Sequence, residues 1–221
     1  MNKTPLISAL NLSKTYETLQ YPLFHNLSLD IHSHDTISCT GRSGEGKSTL
    51  LHILGGIEPP SSGTLHIQGK PFSTVNMNTI RNEYFGFIFQ SFHLLDDQST
   101  LDNVLLPVLI ARKPIKGFYR DRAHMLIAKM GIEHRSTTKA KCLSGGEKQR
   151  VAIARALIMD PHIIFADEPT GNLDSLTAAP VIDLLFEAIE TENKALFLVT
   201  HQEDLAIRCK TQYVLSQGKL C

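Results

Sequence analysis

Eight residues limit what this chain can become more than anything else in its 221 residues: Gly41-Arg42-Ser43-Gly44-Glu45-Gly46-Lys47-Ser48. They follow a short apolar run, "DTISCT" at 35–40, and open "TLLHILGG", a helical stretch that stops near Gly55-Gly56. A loop of the form G-x-x-x-x-G-K-[ST] between a strand and a helix lets the backbone curl until successive N–H groups face one phosphate chain. The helix start adds its partial positive charge. In this setting Lys47 reaches the β and γ phosphates of a nucleotide and Ser48 is placed to ligate Mg2+. Glu45 is out of character, because a carboxylate repels a triphosphate. The expectation is that its side chain points outward while the backbone binds.

The surroundings fit an α/β fold. "PLISALNLSKTY" and "PLFHNLSLDIH" alternate like early strands, and "TLHIQG" and "FGFIFQ" follow beyond a Pro59-Pro60-Gly63 turn. Between 91 and 159 the character changes. "STLDNVLL" carries a capping residue before a helical stretch. Tyr119, Ala123, Leu126, Ile127 and Met130 fall at helical spacing, with Gly131 as the stop. "PHIIFADE" and "ALFLVT" are apolar enough for buried parallel strands. Between them Val181, Leu184, Leu185, Ala188 and Ile189 outline a helix with Pro180 in its first turn. The predicted organisation is one domain: a core from 1–90 and 160–221 with a helical lobe at 91–159.

Asp167 and Glu168 end the "IIFADE" strand, where open α/β sheets place their ligands. Asp167 suits a contact to Mg2+, and Glu168 suits the polarising of an attacking water. Loop and carboxylates together mean nucleotide hydrolysis. They do not separate GTPases, kinases, helicases and transporters. Bulk properties narrow the field. Lys+Arg and Asp+Glu are both 22, so no basic excess points to nucleic acid. The four cysteines have no CxxC spacing, which fits reduced thiols in a cytosolic protein better than zinc or disulfides. "MNKTPLISAL" lacks the apolar run of a signal peptide. The longest apolar run, 104–111, is far shorter than the ~20 residues of a membrane span. Work at a membrane therefore requires docking on another chain.

"LSGGEKQR" at 143–150 resembles the signature of the ATP-binding cassette proteins, and the family's other pieces occur in order along nearly the whole chain. The resemblance implies a P-loop ATPase core with an antiparallel β subdomain and an inserted helical subdomain. It implies that Tyr16, in "LSKTY", stacks on adenine, and that Gly41 to Thr49 (Arg42, Ser43, Gly44, Glu45, Gly46, Lys47 and Ser48 included) hold the phosphates. Gln90, in "GFIFQ", would sense the γ-phosphate and join Ser48 and Asp167 at Mg2+. Ser144, Gly145 and Gly146 would bind the ATP of a second copy, with two glycines so that the backbone comes close. Asp174, in "GNLD", would cross to that partner, and His201, in "LVTHQ", would act with Glu168 and Gln90 in catalysis. A two-fold ATP-sandwich dimer follows.

Within the family, "FGFIFQSFHLL" and "IIFADEPTGNLDS" resemble a subgroup of lipoprotein-releasing, macrolide-efflux and cell-division ATPases. These serve a separate integral membrane permease by mechanotransmission, and the groove near Gln90 takes the permease's coupling helix. The short chain is most similar to the lipoprotein-releasing type. That implies a peripheral protein on the cytoplasmic face of the inner membrane, driving lipoproteins toward the outer membrane. Macrolide efflux, cell division and a soluble cassette ATPase are the alternatives. Ala140 stands where many relatives have proline, a departure that bears on partner contacts.

Overall fold

The computed structural model describes residues 4–18 and 21–221; of the N-terminal stretch read above, residues 1–3 lie outside it. The strands are β1 (Ile7–Lys14), β2 (Phe24–Ile31), β3 (Thr36–Thr40), β4 (Ser62–Ile67), β5 (Lys70–Pro71), β6 (Phe85–Phe89), β7 (Ile163–Asp167), β8 (Ala195–Val199), β9 (Thr211–Ser216) and β10 (Lys219–Leu220). The helices are α1 (Lys47–Leu54), α2 (Met77–Glu83), α3 (Thr100–Ile110), α4 (Phe118–Lys129), α5 (Gly145–Leu157), α6 (Ser175–Thr191) and α7 (Glu203–Ala206). Two sheets result. One is antiparallel, in the order β2-β1-β4-β5. The other runs β10-β9-β3-β8-β7-β6 and is parallel from β9 to β6.

Two interior strands explain the layering. Every β8 residue is buried, and so is all of β7 but Asp167. Successive side chains of a strand point to opposite faces, so both faces of this sheet need apolar cover. Ile163, Phe165, Ala195, Phe197 and Val199 face one core, shared with α1 and the antiparallel sheet. Ile164, Ala166, Leu196 and Leu198 face the other, shared with α3, α4, α5 and α6. Helix α1 lies between the two sheets, which is why Leu50, Leu51, Ile53 and Leu54 are all buried. The helices of 91–159 share one core with the sheet; the C-terminal end of α5 packs directly on β6.

Two helices differ from the sequence expectation. Helix α2 has no buried residue and so leaves no apolar periodicity; its N-terminus is fixed by Asn76 Oδ1, which accepts from the N–H groups of Asn78 and Thr79. Helix α6 begins at Ser175, capped by Asp174, six residues ahead of the apolar stripe. Pro180 is therefore its sixth residue and lies beyond the first turn. It is exposed, as is Leu176, so water can reach the carbonyl that its missing N–H leaves free. Helix α3 starts as expected, at a capping box between Ser99 and Asp102.

An ion cluster ties α4 to the core. Arg122 donates to the carbonyls of Leu157 (3.0 Å) and Ile158 (3.2 Å) and to Glu192 Oε2 (3.0 Å), and Lys129 reaches Glu192 Oε1 at 2.8 Å. Burial alone would raise the Glu192 carboxyl, but hydrogen bonds from Lys129 and Arg122 outweigh it and hold the group below the usual glutamate range. Such a group adds stability above its unfolded value of about 4.3, and the gain disappears as pH falls through the lower folded value. Glu192→Ala should therefore cost about 2 kcal/mol at neutral pH, between the values for exposed and buried pairs. Denaturant unfolding of both proteins should show that difference shrinking toward zero as the medium is acidified below the folded value.

Candidate active site

A cleft of 480 Å3 opens where α1 begins, beside the C-terminal ends of the parallel strands. Ser43, Gly44, Gly46, Lys47, Ser48, Thr49, Gln90, Glu168 and His201 line it. Segments far apart in the chain thus meet at one place, because β3, β7 and β8 run parallel and end together. Leu23 lines it too, a residue the sequence reading did not select. Its signal lies in Gly46, whose φ of 97° disfavours any side chain and whose added Cβ would stand 2.7 Å from Leu23 Cγ. Lys47 is buried in the loop and donates to the carbonyls of Gly41 and Arg42, both at 2.9 Å.

Ser48 Oγ donates to Asp167 Oδ1 at 3.0 Å. Burial pushes the Asp167 carboxyl above its ordinary range, and the Ser48 hydrogen bond counters only part of this. Next to it, Glu168 has φ 45°, a left-handed backbone that a residue with a long side chain rarely adopts. Its N–H bonds the carbonyl of Val199 at 2.9 Å, so the strain is held by the neighbouring strand. The Glu168 side chain is 16% exposed and its Oε2 lies 2.9 Å from His201 Nδ1. One cleft wall therefore holds an acceptor carboxylate, an imidazole, an ammonium and a hydroxyl, the groups that positioned phosphoryl chemistry needs.

Other expected residues lie outside the cleft. Gly41 and Arg42 contribute carbonyls to Lys47 and do not line it. Glu45 departs from expectation: its Oε2 is turned inward, buried without a partner, 3.0 Å from the position of a Cβ on Gly41. Folding the carboxylate under the loop keeps it off the face that lines the cleft. Tyr16 is tied to a neighbour; its hydroxyl donates to Glu58 Oε2 at 3.0 Å and stands 3.5 Å from Thr49 Oγ1, and Lys14 Nζ covers its ring at 4.9 Å. Burial would raise the Glu58 carboxyl, but the hydrogen bonds from Lys14 and Tyr16 bring it below the ordinary range.

Ser144, Gly145, Gly146 and Asp174 also lie outside. Ser144 caps α5 through a capping box with Glu147: Ser144 N–H donates to Glu147 Oε2 (2.8 Å), and Ser144 Oγ accepts from Glu147 N–H (3.3 Å). That backbone hydrogen bond, with Arg135 at 2.8 Å, holds the Glu147 carboxyl low. The first-turn N–H groups of Gly145 and Gly146 point out of the helix end. Asp174 caps α6 by accepting from Thr177 N–H at 3.0 Å. The glycine pair has a role within the chain that sequence did not reveal. A Cβ on Gly146 would lie 2.4 Å from Thr177 Cγ2, so α5 approaches α6 too closely for any side chain there.

Residues 24–171 match the family described as "ABC transporter". Among curated proteins, the lipoprotein-releasing system ATP-binding protein LolD of Protochlamydia amoebophila is 46% identical, over 99% of this chain and 97% of that protein. The protein of the same description from Hydrogenovibrio crunogenus is 41% identical over 96% and 94%. Among solved structures, a dimeric ATP-binding cassette in a post-hydrolysis state with bound ADP and Pi superposes with a TM-score of 0.86 at 34% identity, covering 97% of this chain and 96% of that one. Its fold is thus the mixed-sheet cassette fold described above.

Two reasons for Gly146 can be separated. Gly146→Ala should cost about 1–3 kcal/mol by overpacking. Thr177→Ala in the same chain removes the clashing methyl and leaves Thr177 Cβ 3.9 Å from the new Cβ, so stability should return. If thermal unfolding shows no recovery in the double variant, the packing account of Gly146 is wrong.

Proposed function

The chain belongs to the ABC transporter family and hydrolyses ATP, and from that membership we propose that it is the ATPase subunit of a lipoprotein-releasing complex, working as two copies docked on an integral membrane partner. The observation that carries the two-copy part is spatial. Glu168, Lys47, Ser48, Gln90 and His201 gather at one cleft, whereas the α5 start at Ser144–Gly146 stands outside the cleft of its own chain. A second copy related by a two-fold axis would bring its own α5 start over this cleft, closing two ATP sites at once.

In this reading the loop N–H groups hold the phosphates, and Lys47 exchanges the carbonyls of Gly41 and Arg42 for phosphate oxygens. Tyr16, beside Thr49 at the cleft edge, offers its ring to the base. Glu168 takes up the attacking water and draws proton density from it, while His201, 2.9 Å away, holds that carboxylate in place. A hard divalent ion suits the site, because the buried Asp167 carboxylate is only partly compensated by Ser48. Ser48, Asp167 and Gln90 would hold Mg2+, which supplies charge stabilisation to the transferring phosphoryl group. Asp174 lies on the loop facing the second copy.

The membrane partner has a fitting surface. An apolar groove of 630 Å3 lies between the sheet and the helices, walled by Phe87, Phe89, Leu106, Pro107, Ile110 and Met159. Such a groove accepts one amphipathic helix. No helix among the described residues is long and apolar enough to cross a membrane, so attachment to the inner face of the cell membrane runs through that partner. Release of lipoproteins is carried over from the named relatives.

Glu168→Gln should keep ATP binding and slow hydrolysis about 10²- to 10⁴-fold. Size-exclusion chromatography with ATP should then show a dimer that the nucleotide-free protein lacks. A variant that stays monomeric with ATP bound contradicts the sandwich. Affinity purification of the ATP-locked variant from solubilised membranes should bring down a permease with a large extracytoplasmic domain, and recovery of soluble proteins alone contradicts the transport assignment.

A further inference from the structure

Asn172 is absent from the mechanism above, yet both polar atoms of its side chain are spent on Gln90. Asn172 Nδ2 donates to the Gln90 backbone carbonyl at 2.9 Å, and Asn172 Oδ1 accepts from Gln90 Nε2 at 3.3 Å. The pairing fixes polarity as well as place. The end of Asn172 that faces the Gln90 carbonyl must be the donor, so its oxygen is the end turned to the Gln90 amide, and that oxygen accepts only from the nitrogen. Gln90 Oε1 is then the end left without a protein donor among the described residues.

Backbone hydrogen bonds flank Asn172 on both sides. Gly171 N–H bonds Glu168 O (2.9 Å), Leu173 N–H bonds Thr170 O (3.0 Å), and Thr170 is buried. Gly171 lies flat on Gln90: an added Cβ would stand 2.8 Å from Gln90 Nε2 and 3.0 Å from its Cδ. The segment that begins at Glu168 therefore returns within four residues to clamp Gln90.

We propose that Asn172 is a positioning residue that orients the Gln90 amide with its oxygen toward the cleft and links the Glu168 loop to Gln90 within one chain. The proposal rests on the reading of Gln90 as a residue of the ATP site. An amide presenting nitrogen instead could neither ligate a cation nor accept from a water. Positioning partners of this kind typically change metal affinity or activity about 10- to 100-fold when removed.

The full-length protein tests this in two ways. First, the side-chain amide signal of Gln90 is followed by NMR in the nucleotide-free, metal-free protein. It should be shifted from the free-amide position in the wild type, by its hydrogen bond to Asn172 Oδ1, and return toward that position in Asn172→Ala. Second, hydrolysis is measured against ATP and Mg2+ for Asn172→Ala, Gln90→Ala and the pair. Asn172→Ala should lower kcat about tenfold with KM for ATP nearly unchanged, and raise the Mg2+ needed for half-maximal rate. In the Gln90→Ala background the same change should add nothing.

An unaltered Gln90 signal in Asn172→Ala overturns the proposal, as do effects that add in the double variant, since Asn172 would then act elsewhere. A silent Gln90→Ala overturns the reading of Gln90 and the proposal together. A damaging Gln90→Ala beside a silent Asn172→Ala overturns the proposal alone.

Discussion

The structure depends on a sheet in which two interior strands have no polar face. With β7 and β8 apolar on both sides, helices must cover one side, and α1 with the antiparallel sheet must cover the other. Polar chemistry then has few outlets, and the strand ends are the principal one. β3 ends in the phosphate-type loop, β7 in Asp167 and Glu168, and the end of β8 leads to His201. Covering both faces and concentrating reactive groups at one edge are two results of the same burial.

That edge carries local costs which the fold sustains. Glu168 has a left-handed backbone, Asp167 is a carboxyl raised by burial, and Glu45 keeps an unpartnered oxygen inside the loop. The first two are unfavourable alone and are held by neighbours: Val199 O for Glu168 and Ser48 for Asp167. Unfavourable features gathered at one cleft are what a site prepared for an anionic substrate and a cation would show. The same compactness extends to the helices, where Gly146 lets α5 and α6 approach and Glu192 fastens α4.

Legibility in the sequence followed how local the physics was. The loop at 41–48, the strand-end carboxylates and the cap at Ser99 are set by residues adjacent in the chain, and they are legible directly. Features set by distant neighbours could not. Leu23 reaches the cleft because it packs on Gly46; Glu45 turns inward because space exists beside Gly41; Tyr16 is held by Glu58, 42 residues away. Asn172 meets Gln90 across 82 residues. Helix α2 leaves no signal because none of its residues is fully buried, and α6 starts early because its first turn is exposed while its cap is a single aspartate. Thr177, on a different helix, gives Gly146 a packing role that its neighbours in the chain do not reveal.

In the proposed arrangement each ATP site is built from two copies of the chain. Mixing two inactive variants tests it most directly. One carries Lys47→Ala and the other Ser144→Arg, each as full-length protein. A mixed pair then holds one site with both lesions and one with neither. The account predicts that hydrolysis, absent from each variant alone, returns when they are combined. If Ser144→Arg alone hydrolyses ATP as fast as the wild type, each site belongs to a single chain and the two-copy reading is wrong.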